Sequence, residues 1–212
     1  MTDYRDSSGR RLDDYPRPSV AVDTAVLTVV DDALAVLLVR TGEGDAEWRL
    51  PGSFIHEGET LRAAVLRSLR MKAGIDGLRP RQLHVFDAPG RDDRGWVLSV
   101  AHVDVVGVDR LPASEGHLLA RVDDLPDLKY DHEEIVAFAV EALRVDYRSA
   151  PDPAGLLGDS FTMRQLRLLH EAVLNVRLLP DTFRRTMAPQ LRATGETWVE
   201  GRGRPAEVFQ RM

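Results

Sequence analysis

The chain has 212 residues, 43% hydrophobic and 29% charged, which suffices for one large or two ordinary domains. It contains no cysteine, which excludes disulfides and thiolate zinc sites, and no apolar run long enough to span a bilayer. Net charge is −6 but uneven: residues 1–158 carry 19 Lys and Arg against 28 Asp and Glu, whereas residues 159–212 carry nine Arg against six acids. Any polyanion is therefore expected to meet the C-terminal part, with no membrane partner.

Residues 1–17, rich in Asp, Arg and Ser, read as a flexible arm ended by Pro16 and Pro18. The arm has no apolar core of the kind a secretory signal carries, so the expected location is cytoplasmic. Ser19 to Val30 and Leu34 to Arg40 are apolar and β-branched, with Asp31-Asp32 between them, and predict a β-hairpin in the core of a mixed sheet. Thr41 to Glu47 is a Gly-rich loop. Thr60 is a good cap for a helix running to Lys72, with Leu61, Ala64, Val65, Leu66 and Leu69 as its apolar face and Gly74 as its end.

Arg81 to Asp87 and Trp96 to Val106 predict two further strands around a charged turn at 88–95, and Val108 to Leu128 reads as irregular. Asp131 to Arg148 predicts a helix with an acidic start and an apolar stripe of Ile135, Phe138, Ala139, Ala142 and Leu143. The stretch Ser149-Ala-Pro-Asp-Pro-Ala-Gly reads as a linker, 149–158, between one domain over 18–148 and a second over 159–212.

In the second domain a helix is expected over Thr162 to Leu174 and another from Asp181 to about Met187, with Pro180 at its opening. A strand, a basic tip and a strand follow. This order makes a winged helix-turn-helix. Arg184 and Arg185 are placed to enter a major groove, where arginine pairs with guanine O6 and N7. Gly201 and Gly203 let the wing approach phosphate, with Arg202 and Arg204 supplying charge. Thr162, Arg164 and Thr182, at the helix openings, complete the candidate DNA contacts, and Phe183, Met187 and Val208 are expected to pack inward. The competing reading is a solvated helix and hairpin that serves only dimer contacts.

Residues 48–75, WRLPGSFIHEGETLRAAVLRSLRMKAGI, resemble the loop-helix signature of the Nudix hydrolases, G-x5-E-x7-R-E-U-x-E-E-x-G-U with U aliphatic. Glu59, Arg67, Leu69, Gly74 and Ile75 match. Ser53 stands for the first glycine, and Ser68, Met71 and Lys72 stand for the three helix glutamates. In the family those glutamates hold divalent metal against a pyrophosphate, and hard cations need several oxygen ligands. A thioether and an ammonium supply none. The resemblance therefore implies a domain that binds a nucleotide without catalytic residues, metal or required cofactor. Lys72 also has the simpler reading of a cation in the last turn of a helix.

The stretch PGRDDRGWVLSVAHV resembles a subgroup that includes ADP-ribose-type Nudix domains, and points to Arg91, Asp92 and Arg94 as site or loop-ordering residues. FTMRQLRLLHEAVL, PDTFRRTM, ATGE and GRGRPAEVF resemble the C-terminal module of the NrtR family of Nudix-related regulators, with His170 in place of the usual tyrosine. That resemblance implies an N-terminal α/β/α Nudix-like domain sensing ADP-ribose and a winged helix reading a palindromic DNA operator as a homodimer, in repression of NAD biosynthesis or salvage genes. The implied effector residues are Arg49, Phe54, Glu59, Arg67, Lys72, Arg91 and Arg94, with basic side chains meeting the pyrophosphate directly and Trp48 or Phe54 available to stack on adenine. Glu57 and Glu59 remain as donors for one weak metal and slow residual hydrolysis. Two alternatives stay open: an active Nudix pyrophosphatase acting on ADP-ribose, with an accessory C-terminal domain, and a Nudix-type regulator of another pathway.

Overall fold

A computed structural model of the chain describes residues 4–40, 47–112, 114–199 and 205–212. Strands β1 (Ser19–Val30) and β2 (Ala33–Val39) form the expected antiparallel hairpin. Its two-residue turn puts both Asp31 (φ 48°) and Asp32 (φ 57°) in the left-handed region, as a twisted hairpin requires and as aspartate tolerates better than most residues. Strand β3 (Gly52–Phe54) pairs antiparallel with β1 and leads into helix α1 (Leu61–Ala73). The Thr60 hydroxyl accepts from the Ala63 amide at 3.2 Å, and Gly74 ends the helix at φ 64°. Strands β4 (Arg81–Phe86) and β5 (Val97–Val105) follow, β5 lying parallel to β1.

The segment 108–128, expected to be irregular, contains strand β6 (His117–Arg121), antiparallel to β2. Only Ala120 of its five residues is buried, so no apolar pattern announces it. The open edge of β2 supplies the pairing. Helix α2 (His132–Ser149) then covers the sheet, whose order is β4-β5-β1-β2-β6.

Alternate residues of the central strands face different helices. Ala25, Leu27, Val36 and Leu38 pack with Ile135, Ala139 and Leu143 of α2, whereas Val22, Val26, Leu37 and Val39 pack with Val65 and Leu69 of α1. Burial on both faces explains why these strands read as continuous apolar runs. Phe138, expected in the apolar stripe, is 49% exposed: it stacks at the sheet margin on His84, and Val136 and Val140 fill the core instead.

The C-terminal part is a winged helix of strand β7 (Phe161–Thr162), helices α3 (Met163–Leu174) and α4 (Pro180–Met187), and strands β8 (Leu191–Trp198) and β9 (Ala206–Arg211), in sheet order β7-β9-β8. Phe161, Leu166, Phe183, Met187, Leu191 and Phe209 make its core, and Val208 is buried as expected. The opposite face of α3, through Leu169 and Val173, joins the core under α2. The Pro- and Gly-rich stretch read as a linker is tied down by Asp152, which is buried.

Candidate functional site

An open cleft lies where β1, β3, α1, the 88–95 turn and the start of α2 meet. Its floor is built around Asp23, a buried carboxylate within an apolar strand. Ser99 donates to Asp23 Oδ2 at 2.5 Å. The Leu50 amide donates to His132 Nδ1 at 2.9 Å, so that nitrogen carries no proton, and Nε2 carries it toward Asp23 Oδ1 at 3.3 Å. Burial pushes the Asp23 carboxyl up, but His132, Ser99 and the nearby Arg91 guanidinium outweigh it and hold the group below the usual carboxylate range.

Lys72 reaches into this cleft from α1 and donates to the Gly52 carbonyl oxygen. Burial lowers its pKa, as do the cationic Arg49, Arg94 and Arg67 around it, against the opposing pull of Asp23. An ammonium in these surroundings is stabilised by any anion that enters. Arg49 and Phe54 also line the cleft.

The charged turn is ordered by its own ion pairs. Arg91 is 3% exposed and makes a bidentate pair with Asp131, with Nε 2.7 Å from Oδ2. Asp92 accepts from the amide and guanidinium of Arg94, at 3.0, 2.8 and 2.6 Å. The Arg94 guanidinium lies between the Phe54 and Tyr130 rings, 5.0 and 4.7 Å from their centroids.

Glu59 and Arg67 stand beside the cleft and do not line it. Arg67 donates to Glu59 at 2.8 and 2.7 Å, to Ser53 Oγ at 3.0 Å and to the Phe54 carbonyl at 3.0 Å. The pair bolts β3 and its loop onto α1. Trp48 is likewise off the cleft wall: it packs against the α2-side core, with Arg40 over its ring. Of the three residues at the family's metal-ligating helix positions, Ser68 is buried, Met71 is 76% exposed and only Lys72 faces the cleft. Glu59 is committed to Arg67. Among the described residues no group of three or more His, Asp or Glu is placed to hold a metal ion. This donor set does not fit a divalent cation.

Sequence reasoning missed Asp23, Ser99, Tyr130, Asp131 and His132 as parts of this site. Asp23 alone left a signal, as the one charged residue in SVAVDTAVLTVV. Tyr130 is betrayed only by its backbone, at φ 59°.

In the winged helix, Thr162 is buried and caps α3 in a reciprocal box with Gln165, which engages its hydroxyl within the module. Arg164, Thr182, Arg184 and Arg185 are exposed. Arg184 pairs with Glu207 at 2.9 Å and lies over Phe209, fastening α4 to β9. Arg202 and Arg204, with Gly201 and Gly203, lie outside the described residues.

The NUDIX domain matches residues 20–146 and the NrtR DNA-binding winged helix domain matches residues 153–210. The chain is 28% identical to the "ADPR responsive transcriptional repressor NtrR" of Acinetobacter baylyi over 210 residues, 93% of this chain and 83% of that protein. It is 33% identical to an ADP-ribose pyrophosphatase of Methanocaldococcus jannaschii over 138 residues, 62% of this chain and 78% of that protein. In structure it is similar to Shewanella oneidensis NrtR complexed with a 27mer DNA, at TM-score 0.75 and 29% identity, over 91% of this chain and 93% of that one. The separate NUDIX domain of the same Shewanella protein, complexed with ADP ribose, covers 64% of this chain and 95% of its own, at TM-score 0.54 and 26% identity.

Proposed function

We propose that this chain, which belongs to the NUDIX family and carries an NrtR DNA-binding winged helix domain, is a transcriptional repressor released from DNA by ADP-ribose. The observation that carries the reading is Lys72, a cation aimed into the cleft from a helix position where a hydrolase of this fold presents a metal-binding glutamate. A pyrophosphate can meet Lys72 and Arg49 directly, with no metal between. The Acinetobacter relative is named for its response to ADP-ribose, and the Shewanella NUDIX domain has been seen with that ligand.

The protein acts as a cytoplasmic homodimer on a palindromic operator of NAD biosynthesis or salvage genes, and it is not an enzyme. Two-fold symmetry lets the two winged helices meet successive half-sites on one face of the duplex. Arg164, Thr182, Arg184 and Arg185 supply DNA contacts together with the wing arginines Arg202 and Arg204.

The second reading is a pyrophosphatase, favoured by the Methanocaldococcus relative. It requires magnesium-dependent release of AMP from ADP-ribose. The test titrates the protein onto labelled DNA from its own upstream region and from NAD-biosynthesis operons, in EDTA at fixed salt, with ADP-ribose, NAD or no nucleotide. Tight binding to one palindrome, weakened by ADP-ribose despite the chelator, is expected. Only weak, sequence-indifferent binding, or AMP release on adding magnesium, overturns the reading.

A further inference from the structure

Helix α2 touches the cleft at one end and the winged helix at the other. Its first residue, His132, holds Asp23 and the Leu50 amide, and the preceding Asp131 holds Arg91. Fifteen residues later, about 22 Å along the helix, Tyr147 is fully buried and donates its hydroxyl to Asp152 Oδ1 at 2.8 Å.

Asp152 gathers the surrounding chain. Its side chain, 0% exposed, also accepts from the Leu156 and Leu157 amides at 2.8 and 2.9 Å and from Arg211 Nη1 at 2.5 Å. Arg211 ends the outgoing wing strand β9 and covers the Phe161 ring. Beside this knot, the buried His170 ring of α3 lies 4.9 Å from the Tyr147 ring and 5.0 Å from the Phe183 ring of α4. One carboxylate thus joins the end of α2, the connector and the end of the wing, and tilted and edge-on ring contacts run from α2 through His170 to the helix that carries Arg184 and Arg185. A tether that left the winged helix free would need none of these buried polar bonds, which cost desolvation to form.

We infer that α2 is the coupling rod between cleft and DNA-binding module, and that Asp152, with Tyr147 and Arg211, is the joint that makes the winged helix follow it. The inference rests on the reading of the cleft as the ADP-ribose site. An anion drawn to Lys72 and Arg49 arrives beside the two contacts that seat the start of α2, the Arg91–Asp131 ion pair and the His132–Asp23 hydrogen bond. A helix packed along its whole inner face moves as a unit, so a shift at that end reappears at Tyr147. Asp152 and His170 then carry it to β9 and α4.

The test uses the full chain and measures two quantities. ADP-ribose affinity is read by calorimetry without DNA. Operator affinity is read by anisotropy with and without saturating ADP-ribose, and the ratio of the two operator affinities is the coupling factor. For the native chain that factor is expected in the range of about 5- to 150-fold. Tyr147→Phe deletes one hydroxyl and keeps the ring. Arg211→Met removes the cation. Both are expected to bring the factor toward one while ADP-ribose and DNA are each still bound, and Arg211→Lys is expected to retain more of it than Arg211→Met. A scaffold role alone would lower both affinities and leave their ratio unchanged. An undiminished factor in folded Tyr147→Phe and Arg211→Met overturns the joint and leaves the effector reading intact. A native chain that binds no ADP-ribose overturns the effector reading, and the joint's role falls with it.

Discussion

Gly52 lies so close over Asp23 that a Cβ added at residue 52 would sit 1.8 Å from Asp23 Oδ1. That oxygen cannot simply swing aside, because Ser99 and His132 hold the carboxylate from below. Gly52→Ala must push Asp23 off its partners or β3 off β1. Overpacking of this kind costs about 1–3 kcal/mol, to be read as a lower urea midpoint. Adding Asp23→Ala to Gly52→Ala is expected to return part of the loss, since it removes the atom that clashes. Strictly additive losses would mean that the two positions do not touch.

Lys72→Met removes the cation from the cleft while keeping an unbranched side chain. A hydrogen bond to a charged group contributes about 1.5–3 kcal/mol, so ADP-ribose affinity should fall roughly tenfold to a hundredfold. Calorimetry in EDTA measures it. Unchanged affinity would separate Lys72 from the ligand and return it to the role of a favourable helix-end charge.

The Glu59 carboxyl is held at about 2, chiefly by the Arg67 guanidinium and then by the His56 amide, against an ordinary value near 4.5. Because its folded pKa is depressed, the stability it contributes is present above about pH 4.5 and is lost as pH falls toward 2. Glu59→Gln should therefore be less stable than the native chain at neutral pH, and the two should converge in acid. Thermal midpoints across that window test this. Parallel curves would show that the ion pair contributes nothing.

His170 is buried, and burial lowers its pKa from 6.5 to about 4. The sign is again that of a depressed group. Its neutral form supports the fold above about pH 6.5, and protonation withdraws that support as pH falls toward 4. The difference corresponds to roughly 3 kcal/mol. His170→Phe keeps a ring between Tyr147 and Phe183 and should flatten the stability profile between those pH values. A slope that survives the substitution must come from another group.

Arg185 is exposed on α4, whereas Arg184 is paired with Glu207. Arg185→Ala is expected to weaken operator binding by about 1–3 kcal/mol if it reads a base, with relaxed specificity at one operator position. If it meets phosphate instead, binding weakens evenly across sequences and the salt slope drops by about one. Operator binding that is unaltered at every salt concentration would remove Arg185 from the interface.

By itself the sequence determined most of the elements, though not strand β6, whose pairing the edge of β2 supplies. Apolar β-branched runs, the Asp31-Asp32 turn, the Thr60 and Thr162 caps and Gly74 are local signals, and each acts through its own backbone or its near neighbours. The presence of Ser68, Met71 and Lys72 at the helix positions where the Nudix signature carries glutamate is equally local. Only the tertiary structure decided which of those residues share a site. Asp23 with His132, Arg91 with Asp131, and Asp152 with Arg211 lie 109, 40 and 59 positions apart. No periodicity connects them. Burial creates the pairing: a carboxylate removed from water must find donors, and the fold decides which donors arrive. The same reason holds Glu59 and Arg67 beside the cleft, where they satisfy each other. It also turns a stretch whose prolines and glycine spell a tether into the joint between two folded parts.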